Sequence, residues 1–316
     1  MAHRQHAKHG RHVTVDGFFA DAAAMRRTLD RRLADRDDPF DAGRFAWEHW
    51  HVDGQFSQLR TPARAFFPAP LVAAFEARLL RWAGAAYGMS RLGGPPWLSI
   101  LTDGDFQSLH RDGPNGQIAF TFGLGKRGRF RGGETLIAKD ELLDYFRTGS
   151  HREDRAHTPL FDEISPRPNR LVAFDSRIPH AVRAVEGPRH ARDGRIAVQG
   201  WLLADGCIAD GALDPRDATR AANAALRRIP PATLAGAEGL VAIRLKLGDN
   251  GRARDVELRA STLAATGEGA RQPARAEQAL TRALASARFP PGAASVMVPV
   301  LVGPRGRANV PVGDAR

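Results

Sequence analysis

Cysteine is almost absent: Cys207 stands alone in 316 residues, so no internal disulfide can form and a reducing compartment is expected. Lysine is scarce too. Only Lys8, Lys126, Lys139 and Lys246 occur, and the formal charge of +11 comes mainly from arginine spread along the whole chain. That spread argues against a nucleic-acid partner, which needs basic residues gathered on one face. The densest group, Lys126-Arg-Gly-Arg-Phe-Arg-Gly-Gly, reads as a solvated hairpin loop, with steering of an acidic substrate as the alternative. No uncharged run reaches the length of a membrane span. Residues 71–89 come nearest, but Glu76, Arg78 and Arg81 mark an amphipathic helix. The segment Met1-Ala-His-Arg-Gln-His lacks the apolar stretch of a leader. The expectation is a cytoplasmic protein with no membrane partner, and 43% hydrophobic residues supply its core.

Against this background His110, Asp112 and His180 stand out. Residues i and i+2 of a strand point to one face, so the spacing predicts that His110 and Asp112 converge from a single strand. A third donor from a distant strand, His180, completes a 2-His-1-carboxylate triad, the ligand set of non-haem Fe(II) oxygenases. His-x-Asp alone is cheap, and His51-Val-Asp53 repeats it. Context separates the two copies. After His51 the residues Gly54-Gln-Phe-Ser-Gln-Leu-Arg carry no strand expectation. After His110 come Ile118-Ala-Phe-Thr-Phe-Gly-Leu, then Gly132-Gly-Glu-Thr-Leu-Ile, then Asn169-Arg-Leu-Val-Ala-Phe-Asp, which are apolar and β-branched runs bounded by turn residues. His51 is therefore read as a surface or packing residue.

The span from about 95 to 202 resembles the Fe(II)- and 2-oxoglutarate-dependent oxygenases of the prolyl 4-hydroxylase type. The matching elements are Asp103-Gly104, the His110-x-Asp112 pair, Gly132-Gly-Glu-Thr, Leu171-Val-Ala-Phe, His180, and Gly194-Arg195 with Trp201 six positions on. The resemblance implies a double-stranded β-helix, or jelly roll, with the metal at one open end. It also implies Fe(II), 2-oxoglutarate as cosubstrate and O2, with ascorbate as a candidate reductant, and release of succinate and CO2. The metal ligands and catalytic residues would be His110, Asp112 and His180. Arg195 would take the distal (C5) carboxylate of 2-oxoglutarate in a bidentate fork. An arginine between Gly194 and Ile-Ala-Val is otherwise an isolated charge on an apolar strand. Two features depart from the family. His180 and Arg195 are fifteen residues apart, a longer gap than usual, which keeps Arg189 as a fallback. Leu101 stands where many relatives carry tyrosine.

The fold expectation is mainly β with flanking helices: a jelly roll plus a small α+β (ββαβ) C-terminal domain. Residues 1–12, with His3, His6, His9 and His12, read as a basic His-rich tail. Residues 13–208 form the oxygenase domain, opening with a strand at Val13 and helices near 20–36 and 70–86. The segment Trp47 to His51 is expected in the core, with the lining of a substrate channel as the alternative, and the polar 140–168 stretch as a lid or substrate loop with a short helix. Residues 209–235 supply a helix capped by Asp214, then a proline-rich linker. From 236 to 304, an Asn250-Gly251 hairpin, an Ala-rich helix, Phe289-Pro and a closing strand resemble a TonB C-terminal-type domain, followed by a tail at 305–316. Pro299 in the last strand predicts an edge position. The resemblance implies partner capture by strand addition, or dimerisation.

The leading reading is a hydroxylase acting on a C–H bond of a protein side chain or small molecule. A nucleic-acid demethylase of the same superfamily is one alternative, disfavoured because those enzymes resemble an Arg followed six residues later by another Arg, where Trp201 stands here. A non-catalytic jelly-roll scaffold is the other, disfavoured by the intact triad.

Overall fold

The computed structural model describes residues 10–34, 47–112, 115–139, 160–265, 272–303 and 305–312. The chain forms two compact units, one built from 14–78 with 92–201, the other from 1–13, 79–91 and 202–316. The His-rich positions before Gly10 and most of the expected lid at 140–159 lie outside the described residues. Among the described residues no helix is long and apolar enough to cross a membrane.

The chain begins with β1 (His12–Asp16) and α1 (Ala22–Ala34), then a hairpin of β2 (Glu48–Val52) and β3 (Phe56–Pro62). Helices α2 (Ala63–Phe66) and α3 (Ala69–Tyr87) lead to the short β4 (Arg91–Leu92). There follow β5 (Trp97–Leu101), β6 (Phe106–His110), β7 (Ile118–Gly123), β8 (Arg131–Gly132) and β9 (Thr135–Ala138). The return half is β10 (Phe161–Ile164), β11 (Arg170–Asp175), β12 (His180–Val182), β13 (Val185–Glu186) and β14 (Arg195–Leu203).

Eight of these strands define a jelly roll by their pairing. The outgoing strands meet the returning ones in reverse order, all antiparallel: β5 with β14, β6 with β12, β7 with β11, and β9 with β10. Coiling that long hairpin sets β11-β7-β14-β5 along one run and β6-β12-β9-β10 along the other, with β3 joining them between β5 and β6. The expected mainly-β jelly roll with flanking helices is therefore what the chain forms. Strands β7 and β11 are buried on both faces, which is why they read as continuous apolar runs. Phe18, Phe19 and Phe75 pack with Phe122 of β7 in edge-to-face and tilted pairs, with Phe75 and Phe122 centroids 4.9 Å apart.

Three expectations are corrected. Phe56–Pro62 is a strand, although it carried no strand signal, because its fully buried residues are the polar Gln58 and Thr61. Phe161–Ile164, inside the stretch read as a polar insertion, is a strand paired with β9. The third is Pro299.

In the other unit, β15 (Ile208–Gly211), α4 (Pro215–Leu226) and α5 (Pro231–Leu234) precede β16 (Ala237–Leu247) and β17 (Ala253–Ser261). The short β18 (Ala264–Ala265), α6 (Gln272–Ala285), β19 (Ala294–Val302) and β20 (Ala308–Asn309) complete it. The sheet order is β15-β19-β16-β17, so the predicted ββαβ succession is present and β19 is a central strand. Pro299 fits there because β15 reaches only to Met297 and β20 begins at Leu301. No described strand lies on that flank at Pro299 to need its missing N–H. Gly251, at φ 68, donates to the Gly248 carbonyl and closes the predicted hairpin, and Asp214 caps α4 by accepting from Arg216 N at 2.7 Å.

A candidate metal centre with a buried arginine

The pairing of β6 with β12 sets His110 directly opposite His180. Asp112 does not share their strand, contrary to the sequence expectation. β6 ends at His110, and beyond it Asp112 N donates to the Ser176 carbonyl at 3.1 Å. Ser176 is itself tied down, its hydroxyl donating to the Gly116 carbonyl. One ligand atom from each of His110, Asp112 and His180 lies within 4.8 Å of the others. His110 Nε2 stands 3.6 Å from Asp112 Oδ1, and His180 Nε2 stands 3.4 Å from Asp112 Oδ2.

Both imidazoles are oriented in the same way. His110 Nδ1 lies 2.7 Å from the Ser108 carbonyl, and His180 Nδ1 lies 2.9 Å from the Ile178 carbonyl. A carbonyl only accepts, so each Nδ1 carries a proton and each Nε2 is the nitrogen that faces Asp112, where it donates to the carboxylate or, once deprotonated, would offer its lone pair to a metal. Phe174 packs against His180 at 4.5 Å and Phe56 against His110 at 5.2 Å. Burial alone would raise the Asp112 carboxyl, but its hydrogen bonds with the two histidines outweigh that and hold it well below the usual carboxylate range. For His110, burial works downward. The Asp112 carboxylate and the Ser108 carbonyl overcome it and shift the imidazole upward.

The triad opens into a cavity of about 360 Å³ whose lining also includes Arg195, Thr135, Gln107, Gln199, Trp97 and Trp201. Arg195 is 4% exposed, and desolvation pushes its guanidinium down to about 10 despite the charge of Glu134. Its Nε donates to the Gly133 carbonyl at 2.7 Å and one terminal nitrogen to Thr135 Oγ1 at 3.2 Å, while the buried Nη1 has no partner. A buried cation with an unmet donor beside three metal donors fits an anionic ligand that reaches from the metal to the cavity floor.

Arg189, the fallback, is exposed and does not line this cavity. Leu101, in the tyrosine position, pairs with Arg195 and packs on Val182 and Val185. His51 and Asp53 are exposed and belong to no such three-residue group among the described residues. Trp50 lines the cavity mouth rather than the core, with Arg60 stacked between it and Trp97 at 4.2 and 4.5 Å. The basic hairpin is largely neutralised: Lys126 meets Asp30, Arg129 meets Asp193 and Arg131 meets Glu186.

No protein-family model matches the sequence, and no curated protein matches it either. Solved structures do. A prolyl-4-hydroxylase from Pseudomonas putida matches at 16% identity and TM-score 0.42 over 62% of this chain and 94% of its own. A viral collagen prolyl hydroxylase from Paramecium Bursaria Chlorella virus-1, in complex with 2-oxoglutarate, matches at 13% identity and TM-score 0.38, covering 61% of this chain and 95% of its own. HygX from Streptomyces hygroscopicus, with nickel and 2-oxoglutarate bound, matches at 11% and 0.38, covering 60% and 81%. The strand pairing itself carries the assignment of the fold.

Proposed function

We propose that the chain is an Fe(II)- and 2-oxoglutarate-dependent oxygenase that hydroxylates a C–H bond of a protein side chain or small molecule. The observation that carries this reading is one cavity holding three convergent metal donors and a buried guanidinium with an unpartnered Nη1. In this reading His110, Asp112 and His180 hold the metal and Arg195 holds the distal carboxylate of the cosubstrate. Iron with 2-oxoglutarate and O2, when bound, supplies the oxidising chemistry and releases succinate and CO2.

The protein's part is positional. The backbone carbonyls of Ser108 and Ile178 occupy each Nδ1–H, so Nε2 is the nitrogen left to a metal in both rings. Asp112, kept ionised, contributes one negative charge to a divalent ion. Arg195, held by Gly133 and Thr135, selects a second carboxylate and sets the orientation of the chain that carries it. Phe56 and Phe174 cover the two imidazoles and keep bulk water from their faces.

The test is succinate formation by anaerobically purified, Fe(II)-loaded protein on exposure to air, since turnover without substrate is common for such enzymes. Wild type forms succinate, His110→Ala forms none, and Arg195→Ala recovers only at high 2-oxoglutarate. No succinate, together with no Fe(II)- or 2-oxoglutarate-dependent rise in melting temperature, would return the chain to the binding-protein reading.

For residues 236–304 we infer a TonB C-terminal-type module that captures a partner, or a second copy, along β17. In support, β17 pairs only with β16 in the four-strand order, which leaves its other edge open among the described residues. Deleting 236–304 without change in bound partners or oligomeric state would sink this inference.

A further inference from the structure

We infer that Gln107, backed by Gln58, helps form the cavity floor that receives the distal carboxylate of the cosubstrate and so selects a dicarboxylate 2-oxoacid over a monocarboxylate one. This rests on the oxygenase reading above.

The sheet register places the floor. On β12, His180 faces His110 on one side and Ile137 on the other, and this row carries the metal donors. Two residues further, Val182 faces Gln107 and Thr135, and Gln107 faces Phe56 across its other edge. Two residues of strand measure about 7 Å, so this second row lies one cosubstrate length below the metal row. Gln107, Val182 and Thr135 all line the cavity. Arg195 bonds Thr135 at one end of the row, and Gln107 stands at the other. On a regular strand Gln107 and His110 would point to opposite faces. The register shift between β6 and β12 inserts one extra residue there and brings both to the cavity side.

The hydrogen bonding of the pair is incomplete in an informative way. Gln107 Nε2 donates to Gln58 Oε1 at 3.0 Å, while Gln58 is fully buried and its own Nε2 has no partner. The two ends of a carboxamide are alike in shape, so turning both side chains keeps a bond between them with the roles exchanged. Gln58 Nε2 then donates to Gln107 Oε1. The unmet buried group becomes a carbonyl-type oxygen, which is more often tolerated than an unmet N–H. Gln107 Nε2 now faces the cavity as a donor. Together with Arg195 Nη1 it offers N–H groups from two sides to one carboxylate, which has acceptor sites on both oxygens. Gln58 acts through Gln107 and is a positioning residue.

Calorimetric titration of Zn(II)-loaded protein under argon separates this role from catalysis. The probes are 2-oxoglutarate and 2-oxopentanoate, which share the metal-chelating end and differ in the second carboxylate. Wild type is expected to prefer 2-oxoglutarate. Gln107→Leu should weaken 2-oxoglutarate about tenfold or more and leave 2-oxopentanoate unmoved, as for a lost bond to a charged group. Gln107→Glu, nearly identical in shape, should weaken 2-oxoglutarate further by repulsion, and Gln58→Leu should show a smaller loss of the same kind. The isosteric Gln107→Glu keeps the inference testable if the Leu variant unfolds. Equal weakening of both oxoacids, or no change in either, overturns the inference. If Arg195→Ala loses 2-oxoglutarate selectivity while the Gln107 variants keep it, only this inference fails. A wild type that binds neither oxoacid removes the oxygenase reading itself.

Discussion

The two His-x-Asp tripeptides lie at comparable places, each running off the end of a strand, and only one is built into a site. His110 closes β6, which is flanked by β3 and β12, and it faces His180. His51 lies in β2, which among the described residues pairs with β3 alone, and it faces Ser57. Asp112 is anchored by Ser176 and shielded to 13% side-chain exposure, whereas Asp53 is exposed in the turn before Gly54. The ring of His51 lies 5.6 Å from that of His49, which is also exposed. The tripeptide alone supplies two side chains; the sheet around it decides whether a third arrives and whether water competes.

Breaking that contrast at its strongest point should give the largest effect. Asp112→Ala removes the carboxylate that both imidazoles face, and metal affinity should fall by more than about 100-fold, beyond the usual cost of losing an outer-shell partner. Asp53→Ala should leave metal content unchanged. Metal analysis of the two purified variants after dialysis decides it, and equal loss in both would mean that the exposed copy also binds.

A middle-sized effect sharpens what shelters the buried copy. Gly133 sits at φ +72, and a Cβ there would lie 2.8 Å from Arg195 Cδ. Gly128 has nearly the same φ, +71, with open space around it. Alanine at either position should cost about 1–2 kcal/mol for the left-handed backbone. Only Gly133→Ala should also weaken 2-oxoglutarate, because it displaces the guanidinium. Chemical denaturation with parallel cosubstrate titration separates the two, and equal binding by both variants would show that Arg195 tolerates the intrusion.

The sequence made the convergent His110, Asp112 and His180 and most of the barrel legible because β7, β11 and β14 are largely buried apolar runs and His110, His180 and Arg195 interrupt or follow such runs. It hid what is polar and inside. Strand β3 buries Gln58 and Thr61, so nothing in its apolar pattern announces a strand. Gln107 stands three residues from His110, a spacing that a period of two assigns to the opposite face, and only the bulge makes it part of the cavity. Asp112 was found for a partly mistaken reason: the shared strand face was expected, and a segment beyond the strand, held by the Ser176 carbonyl, delivers the carboxylate instead. Pro299 misled because a central strand can still have an unpartnered stretch along one flank.

The smallest effect comes from a carboxylate outside the barrel. Asp30 is 37% exposed and receives bonds from Arg26 and Lys126, at 2.6 and 2.7 Å. The Arg26 bond is the largest influence on its carboxyl; burial opposes it, Lys126 adds to it, and together they lower the group to about 2. An unfolded aspartate titrates near about 3.9, so the folded state holds the proton less tightly. The stabilisation is therefore complete above about pH 4 and is lost as pH falls toward 2. Solvent screening at this exposure keeps it below about 1 kcal/mol. Asp30→Asn should lower the urea midpoint slightly at pH 7 in low salt, less in about 1 M salt where the Debye length is about 3 Å, and not at all near pH 2. A difference that survived acid and salt would mean that Asp30 acts by shape rather than charge. The exposed carboxylates would then no longer stand as the weak limit against which Asp112 is measured.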